Sequence, residues 1–218
     1  MKEQNKNGHD EELDEATPKG TGFSSSEGHS RAHARVGGFG SLRRLCFAAI
    51  LAAMSLVLGK FLQIPHPFQE FIRISFENLP VLLAGLSMGP VVGALVGAVA
   101  DLLGCVLYGY SINPIVTLGA ASVGLVSGFL ARYVVKKSLL AKVTVSVSLA
   151  HLVGSVFIKS AGLAAWYLAK YELGYLEFLG WRCLNYLIVG TAECVLLYLL
   201  LHNRAFAKQI KEMCKYDV

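Results

Sequence analysis

The sequence predicts an all-α integral membrane protein with six transmembrane helices and a structured external loop after the first. Three observations lead there. The chain is 54% hydrophobic and 16% charged, with a mean hydropathy of +0.52, too apolar for an ordinary soluble domain. Its apolar residues are concentrated between 42 and 203, in runs near the ~20 residues that cross ~30 Å of hydrocarbon. Its basic residues stand in blocks at the ends of those runs, which marks membrane topology rather than a nucleic-acid surface.

Residues 1–41 are polar, rich in Gly, Ser, Glu and Lys, and lack the hydrophobic stretch of a signal peptide. They cannot bury enough apolar surface to offset ordering entropy and are expected to form a disordered cytoplasmic tail, with His9, His29 and His33 solvated. Residues 42–203 are expected to form the membrane domain and 204–218 a basic cytoplasmic tail. Leu42 to Phe61, Leu102 to Ala131, Val143 to Trp166 and Trp181 to Leu201 are long enough to span directly. Ile72 to Ala100 reads as one long span or as two joined at Gly89-Pro90, a pair that punctuates helices.

Charge decides between them. Arg35, Arg43 and Arg44 place the N-terminus inside, and the loop with Arg132, Lys136, Lys137 and Lys142 belongs inside too. An even number of crossings must separate them, which a break at Gly89-Pro90 supplies, with Gly104 to Ile112 as an uncharged external turn. Two more spans leave Arg204, Lys208, Lys211 and Lys215 inside. The second span is short unless it begins near Ile72, so Arg73 and Glu77 fall near its outer end. The stretch Gln63 to Gln69, with two prolines, cannot continue a helix and is expected to form an external loop. The scattered cysteines Cys46, Cys105, Cys183, Cys194 and Cys214 show no metal-ligand spacing and read as small hydrophobes.

Span one carries Ala48, Ala49, Ala52 and Ala53, two overlapping small-x-x-x-small pairs. Alanines four apart let another backbone approach closely, whether within the chain or from a partner. Gly85, Gly89, Gly93 and Gly97 continue that spacing and read as internal packing. Asp101, His151 and Glu193 lie inside spans and read as hydrogen-bonded clamps between helices. His151 and Lys159, eight apart, fall roughly on one helix face. Lys159, Arg182, Asn185 and Tyr186, with Trp166 and Trp181, share an outer layer. They suit a flat, anionic, hydrogen-bonding ligand, or equally a set of snorkelling cations and an aromatic belt. The sequence holds no G-x-x-x-x-G-K-[ST] loop, no H-E-x-x-H pair and no G-x-S-x-G elbow, so ATP hydrolysis by this chain is not expected.

Several stretches, in order, resemble the folate-family S components of energy-coupling factor (ECF) transporters. They are Ile74-Ser75-Phe76-Glu77-Asn78-Leu79-Pro80, Gly89-Pro90, Asp101-Leu102-Leu103-Gly104, Ser111 to Gly119, Phe157 to Leu163, and Trp181-Arg182-x-x-Asn185-Tyr186. The resemblance covers about residues 42–203 and implies a six-helix protein that binds one vitamin, folate first of all, from outside. It implies delivery through a coupling subunit and two ATPases, with ATP used by those partners, no cofactor on this chain and no enzymatic activity. It implies a ligand pocket lined by the loop after helix one, with His66 and Arg73, and by helices four to six, with Lys159, Trp166, Arg182, Asn185 and Tyr186. It also implies that Ala48, Ala49, Ala52 and Ala53 meet the coupling subunit. Riboflavin, thiamine or pantothenate are the alternative ligands. An intramembrane enzyme using Asp101, His151 and Glu193 is the alternative class, and it requires those three to converge.

Overall fold

The computed structural model describes residues 38–62, 64–66, 69–135, 138–171 and 174–214. The expected disordered tail lies almost wholly outside the described residues. The rest runs α1 (Gly38–Phe61), β1 (Ile64–His66), β2 (Gln69–Ile74), α2 (Asn78–Met88), α3 (Pro90–Tyr108) and α4 (Pro114–Phe129) with a π-helical turn at Leu130–Val134. Then follow α5 (Leu139–Ala150), a π-helical run His151–Ile158, α6 (Lys159–Tyr171), α7 (Tyr175–His202) and α8 (Arg204–Cys214). The run from α5 into α6 is one continuous span.

Local chemistry places the helix ends. Gly89 has φ 98°, a backbone that residues with a β-carbon rarely adopt, and Pro90 starts α3 where its missing N–H costs nothing. The Gly89-Pro90 break is therefore present as the charge count requires. Gly109, at φ 69°, closes α3 in the left-handed conformation, and the Asn113 side chain accepts from Ile115 N at 3.0 Å to open α4. The turn between α3 and α4 is thus 109–113. Gly104, expected to begin it, is buried inside α3, because the apolar residues after it continue the helix until Gly109.

Five helical stretches are long and apolar enough to cross a membrane: Leu42–Phe61, Pro90–Tyr108, Pro114–Val134, Leu139–Ala164 and Tyr175–His202. The sixth expected span is different. α2 has 11 residues, about 16 Å of rise, and is buried along almost its whole length against α1, α3 and α4. Ile72 to Ile74, expected to extend it, instead lie in β2, paired antiparallel with β1 (Ile64 opposite Ile74, Pro65 opposite Arg73). β-branched residues favour that hairpin over a first helical turn.

The outward surface is more apolar and bulkier than the interior. Along α3, Val91, Leu95, Val99, Leu102 and Val106 are exposed, while Gly93, Val96, Gly97, Ala100 and Gly104 face inward. A soluble helix has the reverse arrangement; a bilayer accepts this one, and small inward residues let the backbones close up. A β-carbon on Gly93 would stand 2.6 Å from the Gly124 carbonyl oxygen and 2.7 Å from Gly85 Cα, and one on Gly97 would strike the Ala120 carbonyl. Leucine at Gly97 is therefore expected to overpack the α3–α4 seam by about 1–3 kcal/mol, read as a lowered unfolding midpoint in detergent. α8, within the stretch expected to be a tail, is a helix whose Ile210 is fully buried and which packs on α1, α2 and α7.

Candidate functional site

At the hairpin end of the bundle the interior turns polar. Lys159, on the first turn of α6, is 5% exposed. Its Nζ donates to Glu77 Oε1 at 3.0 Å and to Asn78 Oδ1 at 3.3 Å. Glu77, the residue before α2, is held in turn by its neighbours: Ser55 Oγ of α1 donates to its carbonyl at 2.6 Å, and its own N–H donates to Ser75 Oγ at 3.2 Å. The Lys159 ammonium beside it holds the Glu77 carboxyl below the usual carboxylate range against the opposing effect of burial. Lys159 is thus already neutralised within the chain, a commitment that the sequence expectation of a ligand-binding cation did not include.

The π-helical run positions a second cluster. His151 and Lys159 do not share a partner, because the wider turns between them rotate the two side chains apart. His151 Nε2 meets Glu193 Oε2 on α7 at 2.5 Å, and its Nδ1 meets Ser155 Oγ at 3.3 Å. Its ring stacks on Tyr186 with centroids 5.3 Å apart. Arg182 Nη2 donates to the Tyr186 hydroxyl and to the Ser155 carbonyl, both at 3.2 Å, and its guanidinium lies 5.7 Å from the Phe178 ring centroid and 5.3 Å from that of Tyr186. Among the described residues, Arg182 Nε and Asn185 Oδ1 are buried without a hydrogen-bond partner. Such atoms are costly in a dry interior, and a polar ligand would satisfy both.

Arg182, Asn185 and Tyr186 are brought together on α7, but not on its first turn as expected: α7 begins at Tyr175, two turns earlier. Ser155 stands one turn before Lys159, so the two clusters abut. His66, Arg73 and Trp166 have their backbones on β1, β2 and α6, and their side chains lie outside the described residues. Glu77 and Ser155 went unassigned in the sequence as partners. The legible signal was Lys159 itself, since a lysine inside a span needs a counter-charge.

Two cavities adjoin these clusters. One, of about 110 Å³, lies among α1 to α4 and is lined by Ser55, Glu77, Asn78, Asp101, Tyr108 and Lys159, among others. The other, of about 430 Å³, runs along the flank between α5 and α7, from His151 and Tyr186 to Leu140 and Leu199 at the opposite end. Its size suits a ligand, but its place on the flank of two spans makes it a seat for lipid chains. Asp101 accepts from Thr117 Oγ1 at 2.6 Å and lines the first cavity, whereas His151 and Glu193 pair beside the second. The three do not form one cluster, because they face different neighbours, and the convergence an intramembrane enzyme requires is not met.

The four alanines of α1 divide. Ala52 is 6% exposed and belongs to the core, with Ala48 packed beside it, while Ala49 and Ala53 are exposed. The pair 48/52 closes the fold, and 49/53 is the pair open to a partner.

Five apolar spans around a buried, ion-paired interior define a multi-pass membrane protein with a polar site among its helices. The chain belongs to the ECF transporter, substrate-specific component family, which matches residues 43–204. That family supplies substrate-binding subunits of transporters and not enzymes. The folate transporter FolT of Clostridium novyi (strain NT) is 33% identical over 64 residues, 29% of this chain and 36% of that relative, so the match spans about a third of its length. Two solved structures share the fold at TM-score 0.57. FolT bound with folic acid is 23% identical over 72% of this chain and 92% of its own, and the S component of a bacterial ECF transporter is 27% identical over 75% and 95%. An S component for biotin, 18% identical, aligns at TM-score 0.54 over 80% of this chain and 92% of its own.

Proposed function

We propose that this chain is the vitamin-binding S component of an ECF-type importer, that its ligand is folate, and that it works with a membrane coupling subunit and two ATPases. It sits in the plasma membrane with both termini cytoplasmic and the hairpin outside. The observation that carries the folate assignment is the likeness to a folate transporter over 64 residues. The chemistry at the hairpin end supports it. Folate combines a flat donor/acceptor ring system with a glutamate tail. Arg182 and Asn185 offer buried polar atoms that lack partners among the described residues, and Phe178 and Tyr186 offer aromatic faces beside them. Trp166, His66 and Arg73 complete the proposed pocket, and Lys159 shapes it through Glu77 and Asn78.

Equilibrium binding of radiolabelled folate to the purified chain, without ATP, tests this. The expected result is tight one-to-one binding without turnover. Arg182→Ala should weaken it by about 1.5–3 kcal/mol, the usual contribution of a charge-assisted hydrogen bond. Tight binding of riboflavin, thiamine or pantothenate in its place would transfer the function to that vitamin.

A further inference from the structure

The small cavity among α1 to α4 is not explained by helix packing. Its size decides what it can hold. At about 110 Å³ it has room for several water-sized groups, which need about 10–15 Å³ each, but not for a whole ligand of folate size, whose pockets run to about 300–1,000 Å³. One end of such a ligand fits, and the rest must lie outside.

The lining selects which end. Asp101 sits inside an apolar span, and its Oδ2 accepts from Thr117. Its Oδ1 has no hydrogen-bond partner among the described residues. The Asn78 amide accepts from Lys159 through Oδ1, and its Nδ2 donor likewise has none among them. Both residues line the cavity, which therefore presents an open acceptor and an open donor. The lysine that could neutralise Asp101 is committed to Glu77 and Asn78. A carboxylate at this depth calls for N–H donors, and two carboxylates in one small space repel an anionic ligand group. At the rim, Tyr108 is fixed by donating to the Leu56 carbonyl at 2.6 Å and meets Tyr110 edge-on, with centroids 6.1 Å apart. Those rings provide flat apolar walls for a planar heterocycle.

We infer that this cavity seats the 2-aminopyrimidin-4-one edge of a pterin-type head, with Asp101 accepting from its ring N–H and amino group and Asn78 donating to its carbonyl. The inference rests on the folate reading above and deepens it: the head is read by α2 and α3, and the anionic tail is left for Arg182 on α7. Asp101 is then the residue that determines specificity for the amino group.

The test compares two ligands on the full chain in detergent: folic acid and its 2-desamino-2-methyl analogue, which lacks the amino donor. In the parent protein the analogue should bind at least about tenfold more weakly, the lower end for a hydrogen bond to a charged group. In Asp101→Asn, folic acid should lose at least that factor while the analogue loses little, so that the two converge. The free fragment p-aminobenzoyl-glutamate, which has no pterin, should bind parent and variant alike. Equal affinity of the parent for folic acid and the analogue overturns the inference without any variant having to fold. So does Asp101→Asn that binds folic acid like the parent, or that weakens both ligands equally. A parent protein that binds no folate overturns the folate reading and this inference together, which separates the two failures.

Discussion

Replacing His151 with leucine is expected to destabilise the protein by about 3–5 kcal/mol, although the new side chain is apolar and stands in a span. The reason is its partner. Glu193 is fully buried, its Oε2 faces His151, and its Oε1 already lacks a hydrogen-bond partner among the described residues. Without the imidazole the carboxyl would be stranded in the bilayer interior, far from water. The double replacement His151→Leu with Glu193→Leu is expected to recover most of that loss, because a matched apolar pair carries no desolvation cost. Unfolding midpoints in the same detergent for parent, single and double variants read this directly. A double variant no better than the sum of its singles would show that the pair is not a clamp. The expected loss exceeds that for Gly97→Leu, since an uncompensated buried acid costs more than a crowded seam.

The second large effect separates binding from transport. Tryptophan at Ala53 or Ala49, both exposed on α1, is expected to leave folding and folate binding of the isolated chain near the parent values. Uptake by cells carrying the whole transporter should collapse, because a bulky ring holds apart two helices that small residues let approach. Tryptophan at Ala52, buried within the core, should instead overpack the chain by about 1–3 kcal/mol and reduce binding and uptake together. Normal uptake by Ala49→Trp and Ala53→Trp would remove this face from the proposed coupling contact.

The parts of the fold that the sequence predicted well are those governed by hydrophobic length and by helix punctuation. Long apolar runs announced α1, α3, α4 and α7, and Gly89-Pro90 announced the boundary between α2 and α3. What could not be read was set by tertiary contact or by a departure from the α-helical period. α2 falls short of a span because Ile72 and Ile74 pair across a hairpin, and strand pairing between distant residues leaves little trace in a window of sequence. The assumption of regular α-helix put His151 and Lys159 on one face. The π-helical run sends one to Glu193 and the other to Glu77. At the site, Arg182, Asn185 and Tyr186 were legible as a group by their spacing on one helix, but the Glu77 partner of Lys159 lies 82 residues away, and no local pattern announces it.

The π-helical run from His151 to Ile158 also makes the chain sensitive to length in a way that residue identity does not reveal. A π-helical stretch holds more residues per turn than an α-helix, so the loss of one residue there would let the backbone relax to ordinary α-helical turns. Each residue of an α-helix advances about 100° around the axis, so everything beyond the deletion would swing round by about that angle. Lys159 would leave Glu77, and the Ser155 carbonyl would leave Arg182. Exchanging Leu152 or Phe157, both exposed, changes only what the lipid touches. Along this stretch, substitutions at the outward positions are cheap, while a codon lost or gained would retune the polar interior from the middle of the membrane to its hairpin end.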